Sequence, residues 1–182
     1  RTLSATAYTN STARITIGQD ITVQATTGAD DYWGYAYFGG LEASAYYGGV
    51  AEITVGDLAT NTGSISVIAE GGSYATAEMG SLYAYATDYI GWWNSSASAD
   101  GASALINIGG DISISANGVG YAYASLDGIY ASAYYNSGTG DVTAAINIGG
   151  DVFVAATATD GDASGYMPVS YTHLRAHETL RY

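Results

Sequence analysis

Along residues 1–167 apolar and polar side chains alternate in short runs, and Gly, Asp, Asn or Ser stands between the runs. A period of two predicts strands separated by turns, and no stretch of this body sustains a helical period. In IYASAYY, Ile129, Ala131 and Ala133 share one face of an extended chain, while Tyr130, Ser132 and Tyr134 share the other. In LEASAYY, Leu41, Ala43 and Ala45 lie opposite Glu42, Ser44 and Tyr46, so Glu42 stands where Tyr130 stands. An unpaired carboxylate is costly to bury, and the body holds only Arg1 and Arg14 as basic side chains. SYATAEM repeats the lesson, with Tyr74, Thr76 and Glu78 facing away from Ala75, Ala77 and Met79. The Ala, Leu and Ile face is therefore predicted to point inward and the Tyr face outward. The competing arrangement fills the core with tyrosines and leaves the alanines outside.

The runs recur. Ile15-Thr-Ile-Gly18, Ile53-Thr-Val-Gly56, Ile106-Asn-Ile-Gly109 and Ile146-Asn-Ile-Gly149 begin 38, 53 and 40 residues apart. Residues 57–63, DLATNTG, explain part of the long interval. A second block follows each of the first three anchors, starting at Gly34, Ser81 and Gly120, and this alignment sets Trp33 against Ser81 and Val119. The unit is about 40 residues long with four runs, which in the third unit are 105–108, 112–116, 121–126 and 129–135. Such a pattern predicts an all-β parallel β-solenoid, each unit forming two coils of about 20 residues and the body roughly eight coils. Asn117-Gly118 and Asp127-Gly128 are two-residue hairpin signals, so an antiparallel β-sandwich is the alternative.

Composition narrows the partners. The chain has 4 basic and 17 acidic residues, a net charge of −13, and no Cys. An acid excess opposes nucleic acid and anionic membranes, which need Lys or Arg to displace counterions. No disulfide can form, and no apolar run is long enough for a membrane-spanning helix. Residues 168–182, PVSYTHLRAHETLRY, hold the only Pro and both His but no Gly. This string resembles a translated sequencing-adapter scar, and is expected to be a non-native or disordered tail on the 1–167 repeat body. The chain opens at Arg1 within what reads as a repeat, so a piece of a longer protein is expected.

Repeats of the form INIGGDISISA, followed by YAYA and IYASA, resemble those of large bacterial surface proteins of the filamentous haemagglutinin and autotransporter-adhesin kind. They are also similar to long β-strand-repeat proteins, and the resemblance covers nearly all of residues 1–167. It implies a secreted or cell-surface right-handed β-helix serving as an adhesin stalk or fibre.

The sequence offers little to catalysis. Its body has carboxylates, hydroxyls and phenols but no His, Lys or Cys, so no nucleophile and base pair can be assembled. The protein is expected not to be an enzyme. Asp30 with Asp31, and Asp160 with Asp162, are the carboxylate pairs a polysaccharide-processing solenoid would need; as turn residues they have a simpler role. His173 and His177 have the spacing of a helical metal pair but fall in the tail. No cofactor is expected. Calcium is a candidate at the aligned Asp20, Asp111 and Asp151, against the simpler role of capping corners.

Aromatic residues are the most functional-looking feature, at 18 Tyr, 3 Trp and 2 Phe. Outward phenols pair a flat apolar ring with a hydroxyl and suit contact surfaces. The candidate surface-binding residues are Tyr35, Tyr37, Tyr46, Tyr83, Tyr85, Tyr121, Tyr123, Tyr130 and Tyr134, with Trp92 and Trp93 as an exposed loop or a plug over the core. The expected function is a structural and adhesive repeat region that meets glycans, other surfaces or neighbouring fibres, with end-to-end self-association through exposed strand edges. A carbohydrate-binding or polysaccharide-processing β-helix is the alternative. An ice- or mineral-facing array would need regular Thr rows, which Asn107, Asn147, Ser113 and Phe153 interrupt.

Overall fold

The computed structural model describes residues 1–8, 11–27, 33–47, 49–88, 101–135, 142–168 and 171–175. Each run of alternating residues becomes a strand. The first turn of the chain contains β1 (Leu3–Tyr8), β2 (Thr12–Ile17), β3 (Ile21–Thr26) and β4 (Trp33–Phe38). The second contains β5 (Leu41–Tyr46), β6 (Val50–Val55), β7 (Ile65–Glu70) and β8 (Tyr74–Met79). The third has β9 (Leu82–Asp88), β10 (Ala102–Ile108), β11 (Ile112–Gly118) and β12 (Tyr121–Leu126). The fourth has β13 (Ile129–Tyr135), β14 (Val142–Ile148), β15 (Val152–Ala158) and β16 (Asp162–Tyr166), and β17 (Tyr171–Arg175) follows. No helix occurs among the described residues.

Every ladder between these strands is parallel. Sheet 1 is β1-β5-β9-β13-β17, sheet 2 is β14-β10-β6-β2, sheet 3 is β15-β11-β7-β3 and sheet 4 is β16-β12-β8-β4. The four anchors stack in register, Ile15 on Ile53, Ile53 on Ile106 and Ile106 on Ile146. A residue thus pairs with its counterpart one whole repeat away. One unit is one four-stranded turn, which corrects the expectation of two coils of about 20 residues and of roughly eight coils. The antiparallel sandwich is excluded as well; among the described residues the one antiparallel bridge outside the ladders, Asp57 with Thr62, closes the inserted loop at 57–63. Of the segment 168–182, expected to be non-native or disordered, Tyr171–Arg175 runs parallel to β13.

Sheet 1 packs on sheet 2, with β9 against β10 and β13 against β14, and sheet 3 packs on sheet 4, with β11 against β8 and β15 against β12. Three residues join sheet 2 to sheet 3 at 18–20, 109–111 and 149–151, and two residues join sheet 4 to sheet 1 at 39–40, 80–81 and 127–128. These connections are too short to reverse a layer, so sheets 2 and 3 form one layer and sheets 4 and 1 form the other.

Side-chain size follows this section. Beside the short corners the inward residues are large, as at Ile106, Ile108, Ile112, Met79 and Leu82, all at most 1% exposed. Where the chain crosses between layers they are alanines, as at Ala45, Ala51, Ala69, Ala75 and Ala86, each 0% exposed. The slab is thick in the middle and thin at both rims, because two facing alanines let backbones approach where two facing isoleucines would hold them apart. The predicted sidedness is seen in these strands: Ile129, Ala131 and Ala133 are fully buried, and Glu42 and Tyr74 are exposed, while Ser44 on the outward parity is itself covered.

One alignment is corrected. Trp33 pairs with Tyr74, and the second-turn counterpart of Trp33–Phe38 is Tyr74–Met79. The segment from Leu82 stacks instead on Leu41–Tyr46. Tyr83-Ala84-Tyr85 imitates Tyr121-Ala122-Tyr123 in composition but lies in a different sheet, since the corner at Gly80-Ser81 precedes it.

Candidate aromatic contact surface

The outward positions of the two layers differ in chemistry. On sheets 2 and 3 they form columns of hydroxyls and amides, such as Thr16, Thr54, Asn107 and Asn147, where the Asn147 amide donates to Asn107 Oδ1 at 2.9 Å. Arg14 sits on this layer and is held by Glu52 at 2.8 Å. Leu105, Ile68 and Phe153 interrupt the columns. On sheets 4 and 1 the outward positions are rich in rings, because WGYAYF, YAYASL, LYAYATD and IYASAYY place most of their rings on the outward parity, with Phe38 on the inward one against the core.

In sheet 4, Trp33, Tyr74 and Tyr121 stack in register, with ring centroids 6.4 and 6.1 Å apart. In sheet 1, Tyr8 lies parallel over Tyr46 at 5.4 Å. Thr87 then occupies the column between Tyr46 and Tyr134. Tyr85, two residues earlier on β9, leans across the gap and meets both rings at 5.7 Å. The aromatic path therefore crosses four turns without a break. All of these separations fall in the range where offset and tilted ring pairs attract, each by about 0.5–1.5 kcal/mol. Thr87, buried beneath this bridge, is hydrogen-bonded to the Tyr85 hydroxyl.

Between the two aromatic sheets runs a seam. The corners at 39–40, 80–81 and 127–128 stack turn on turn through Leu41 N–H to Ser81 O at 3.2 Å and Leu82 N–H to Gly128 O at 3.0 Å. Small residues at these corners leave an axial groove of about 540 Å³, bordered by Tyr37, Tyr83, Tyr130, Glu42 and Asp127, with Gly39, Gly80 and Ser81 at the corner positions. Tyr130 folds back so that its hydroxyl donates to Asp127 O at 3.1 Å. A β-carbon at Gly128 would collide with that ring, so the ring position requires glycine there.

The structure places each candidate as follows. Tyr35 and Tyr37 are exposed on β4, with parallel rings 6.2 Å apart. Tyr46, Tyr83, Tyr85, Tyr121, Tyr123, Tyr130 and Tyr134 are half-buried on the outer side of their strands. Tyr37, Tyr83 and Tyr130 meet at the groove, while Tyr121 and Tyr123 stay on sheet 4 away from it. Trp92, Trp93, Asp30, Asp31 and His177 lie outside the described residues. Sequence reasoning left Tyr8, Trp33 and Tyr74 out of the contact set. Pairing LSATAY with LEASAY would have found Tyr8, because it brings Tyr8 over Tyr46. The aligned carboxylates Asp20 and Asp111 are engaged by backbone amides, from Ser64 at 2.7 Å and from Asp151 at 2.8 Å. Among the described residues no three carboxylates or imidazoles converge.

Tyr35 donates to Glu78 Oε2 at 2.8 Å. This bond, helped by partial burial and by the carboxylate's charge, pushes the Tyr35 phenol from 10.0 up to about 12. Burial raises Tyr83 and Tyr85 too, and the Thr87 hydrogen bond partly offsets the rise at Tyr85. A raised phenol is protonated in both states below the unfolded value, so its contribution to stability is complete there. As pH climbs from 10.0 to about 12 the unfolded chain sheds the proton first, and the contribution is lost. Phenolate absorbance should show Tyr35 ionising near the top of the titration, and Glu78→Gln should bring it down toward 10.0. An unchanged titration in that variant would show that the hydrogen bond does not exist in solution.

No protein-family model, curated protein or solved structure matches this chain.

Proposed function

We propose that this chain is a structural and adhesive repeat region of a secreted or cell-surface bacterial protein, using the tyrosine layer for contact. The carrying observation is the segregation of rings to sheets 4 and 1, with hydroxyls and amides on sheets 2 and 3. Parallel backbone ladders give stiffness along the axis, and the ring columns give an adhesive flank that soluble single domains seldom display. Right-handed winding belongs to this reading, following the general hand of parallel crossovers.

The seam groove favours a glycan as one contact. It runs along the stack, and it offers phenol hydroxyls, ring edges and two carboxylates. Such a lining suits neutral or amino sugars better than acidic ones, because Glu42 and Asp127 would repel uronates. The test is retention on suspended cellulose, chitin and pectate. Retention on cellulose or chitin should exceed that on pectate. It should fall at least about tenfold when Tyr37, Tyr83 and Tyr130 are all changed to Ala. Thr16→Ala with Thr54→Ala, on the other layer, should leave retention unchanged. Equal losses in the two variants would refute a role for the aromatic layer. Shortening of pectate in calcium-containing buffer would move the reading to polysaccharide processing.

A further inference from the structure

The third turn breaks the ring column of sheet 1 and repairs it with a ring from the neighbouring column. β5 and β13 carry Ser and then Tyr at successive outward positions, Ser44 with Tyr46 and Ser132 with Tyr134, whereas β9 carries Tyr85 and then Thr87. Tyr85 is therefore in register with Ser44 and Ser132, and Thr87 with Tyr46 and Tyr134. A ring flanked by two serines has room to tilt, and a threonine between two rings leaves a gap. Tyr85 fills that gap, 5.7 Å from both ring centroids and inclined at 55° to Tyr46 and 47° to Tyr134. The hydrogen bond between its hydroxyl and Thr87 holds it there.

Phenols of the second, third and fourth turns thus meet on the outer surface. All of them are half-buried, so each keeps an edge in solvent. A one-electron oxidant converts a phenol to a radical, and two such radicals couple when their rings meet. Groups already in contact on one chain meet at an effective concentration far above that of a second chain in dilute solution. An outward ring also turns about its side-chain bonds without disturbing the core.

We propose that Tyr85 is an oxidative cross-linking site, joined by a carbon–carbon bond to Tyr46 of the second turn or Tyr134 of the fourth, with hydrogen peroxide and a haem peroxidase as the oxidant. Each of the two phenols gives up one electron and its hydroxyl proton. The radicals bond through ring carbons ortho to the oxygen. Each of those carbons then loses its hydrogen as a proton while its own ring oxygen takes one up, which restores both hydroxyls. The two electrons and two protons released reduce one peroxide to two waters, and the chain is lighter by two hydrogens. The new bond ties together strands about one repeat apart in sequence. It removes freedom from the unfolded chain and fastens adjacent turns against unwinding. Cross-linking at Tyr85 does not depend on glycan binding, which rests on Tyr37, Tyr83 and Tyr130 at the groove.

The test treats the dilute whole chain with hydrogen peroxide and a haem peroxidase. Material that still runs as a single chain in denaturing electrophoresis is weighed by mass spectrometry and cut after its acidic residues. Glu52 and Glu78 separate Tyr46 from Tyr85, and Asp88 and Asp127 separate Tyr85 from Tyr134. The expected result is a mass lower by two hydrogens, with peptides joined through Tyr85 as the main product linking different turns. Tyr85→Phe keeps a ring in the gap and should lower the yield of that product at least about tenfold. Tyr123→Phe, on sheet 4, should leave it unchanged. The same treatment in denaturing urea should scatter the cross-links over other tyrosines, and this arm decides the matter if circular dichroism shows that Tyr85→Phe has lost its strands. Cross-links between chains only, turn-to-turn products that omit Tyr85, an equal yield in folded Tyr85→Phe, or the same pairing in urea would each overturn the proposal.

Discussion

Ile106→Ala should lower the unfolding free energy by about 2–5 kcal/mol, the largest loss expected from a single inward truncation. Ile106 is fully buried and lies between Ile53 and Ile146 in a column of four anchors. A cavity costs least where neighbours can collapse into it. Here Ile53 on β6 and Ile106 itself on β10 belong to strands bonded on both sides by parallel ladders, so relaxation is restricted and the upper part of the range is expected. Leu105→Ala supplies the contrast. Leu105 is the next residue on the same strand but faces outward and is half-buried. Its truncation should cost less than about 1 kcal/mol. Urea unfolding of the two variants measures both, and equal losses would contradict the inward and outward assignment on which the fold rests.

Gly40→Ala should be nearly as damaging, although it adds only a methyl group. Gly40 has φ of 96°, in the left-handed region, where an L side chain costs about 1–2 kcal/mol. A β-carbon there would also overlap the carbonyl oxygen of Ser81, which accepts the Leu41 amide. Relief requires moving one turn away from the next along the seam, which disturbs the corner bonds above and below. The total loss should therefore exceed the conformational penalty alone. Gly18→Ala is the control, since nothing lies within 4 Å of its β-carbon position. A denaturation midpoint for Gly40→Ala within experimental error of the Gly18→Ala midpoint would show that the seam is looser than described.

The corners explain why the aromatic layer was only half legible. Alternation put Tyr130 and Tyr134 outside from sequence alone, and Glu42 in the same column settled the direction. Alternation did not say that Tyr85 would bridge the column broken by Thr87, because that contact joins residues of different turns and different positions. The same limit caused the misplaced alignment of Trp33. Matching YAYA to YAYA compared like compositions, while strand pairing follows the corner that starts each strand, Gly39-Gly40 against Gly80-Ser81. Coil size failed for a related reason. Four runs per repeat are compatible with one four-stranded turn or two two-stranded ones. What decides between them is whether the chain closes its section after two strands or four.

The sequence by itself determined strand content, the inward sense of the Ala, Leu and Ile face and the recurrence of the four anchors. These depend on the two-residue period of an extended chain and on the cost of burying a carboxylate, and both act locally. Only the tertiary structure decided the size of a turn, the sorting of rings to one layer and the glycine-lined groove between sheets 4 and 1. Those features depend on how much each short corner bends the chain and on which turn lies above which. Backbone contacts between residues about 40 positions apart settle both, and no local pattern encodes them.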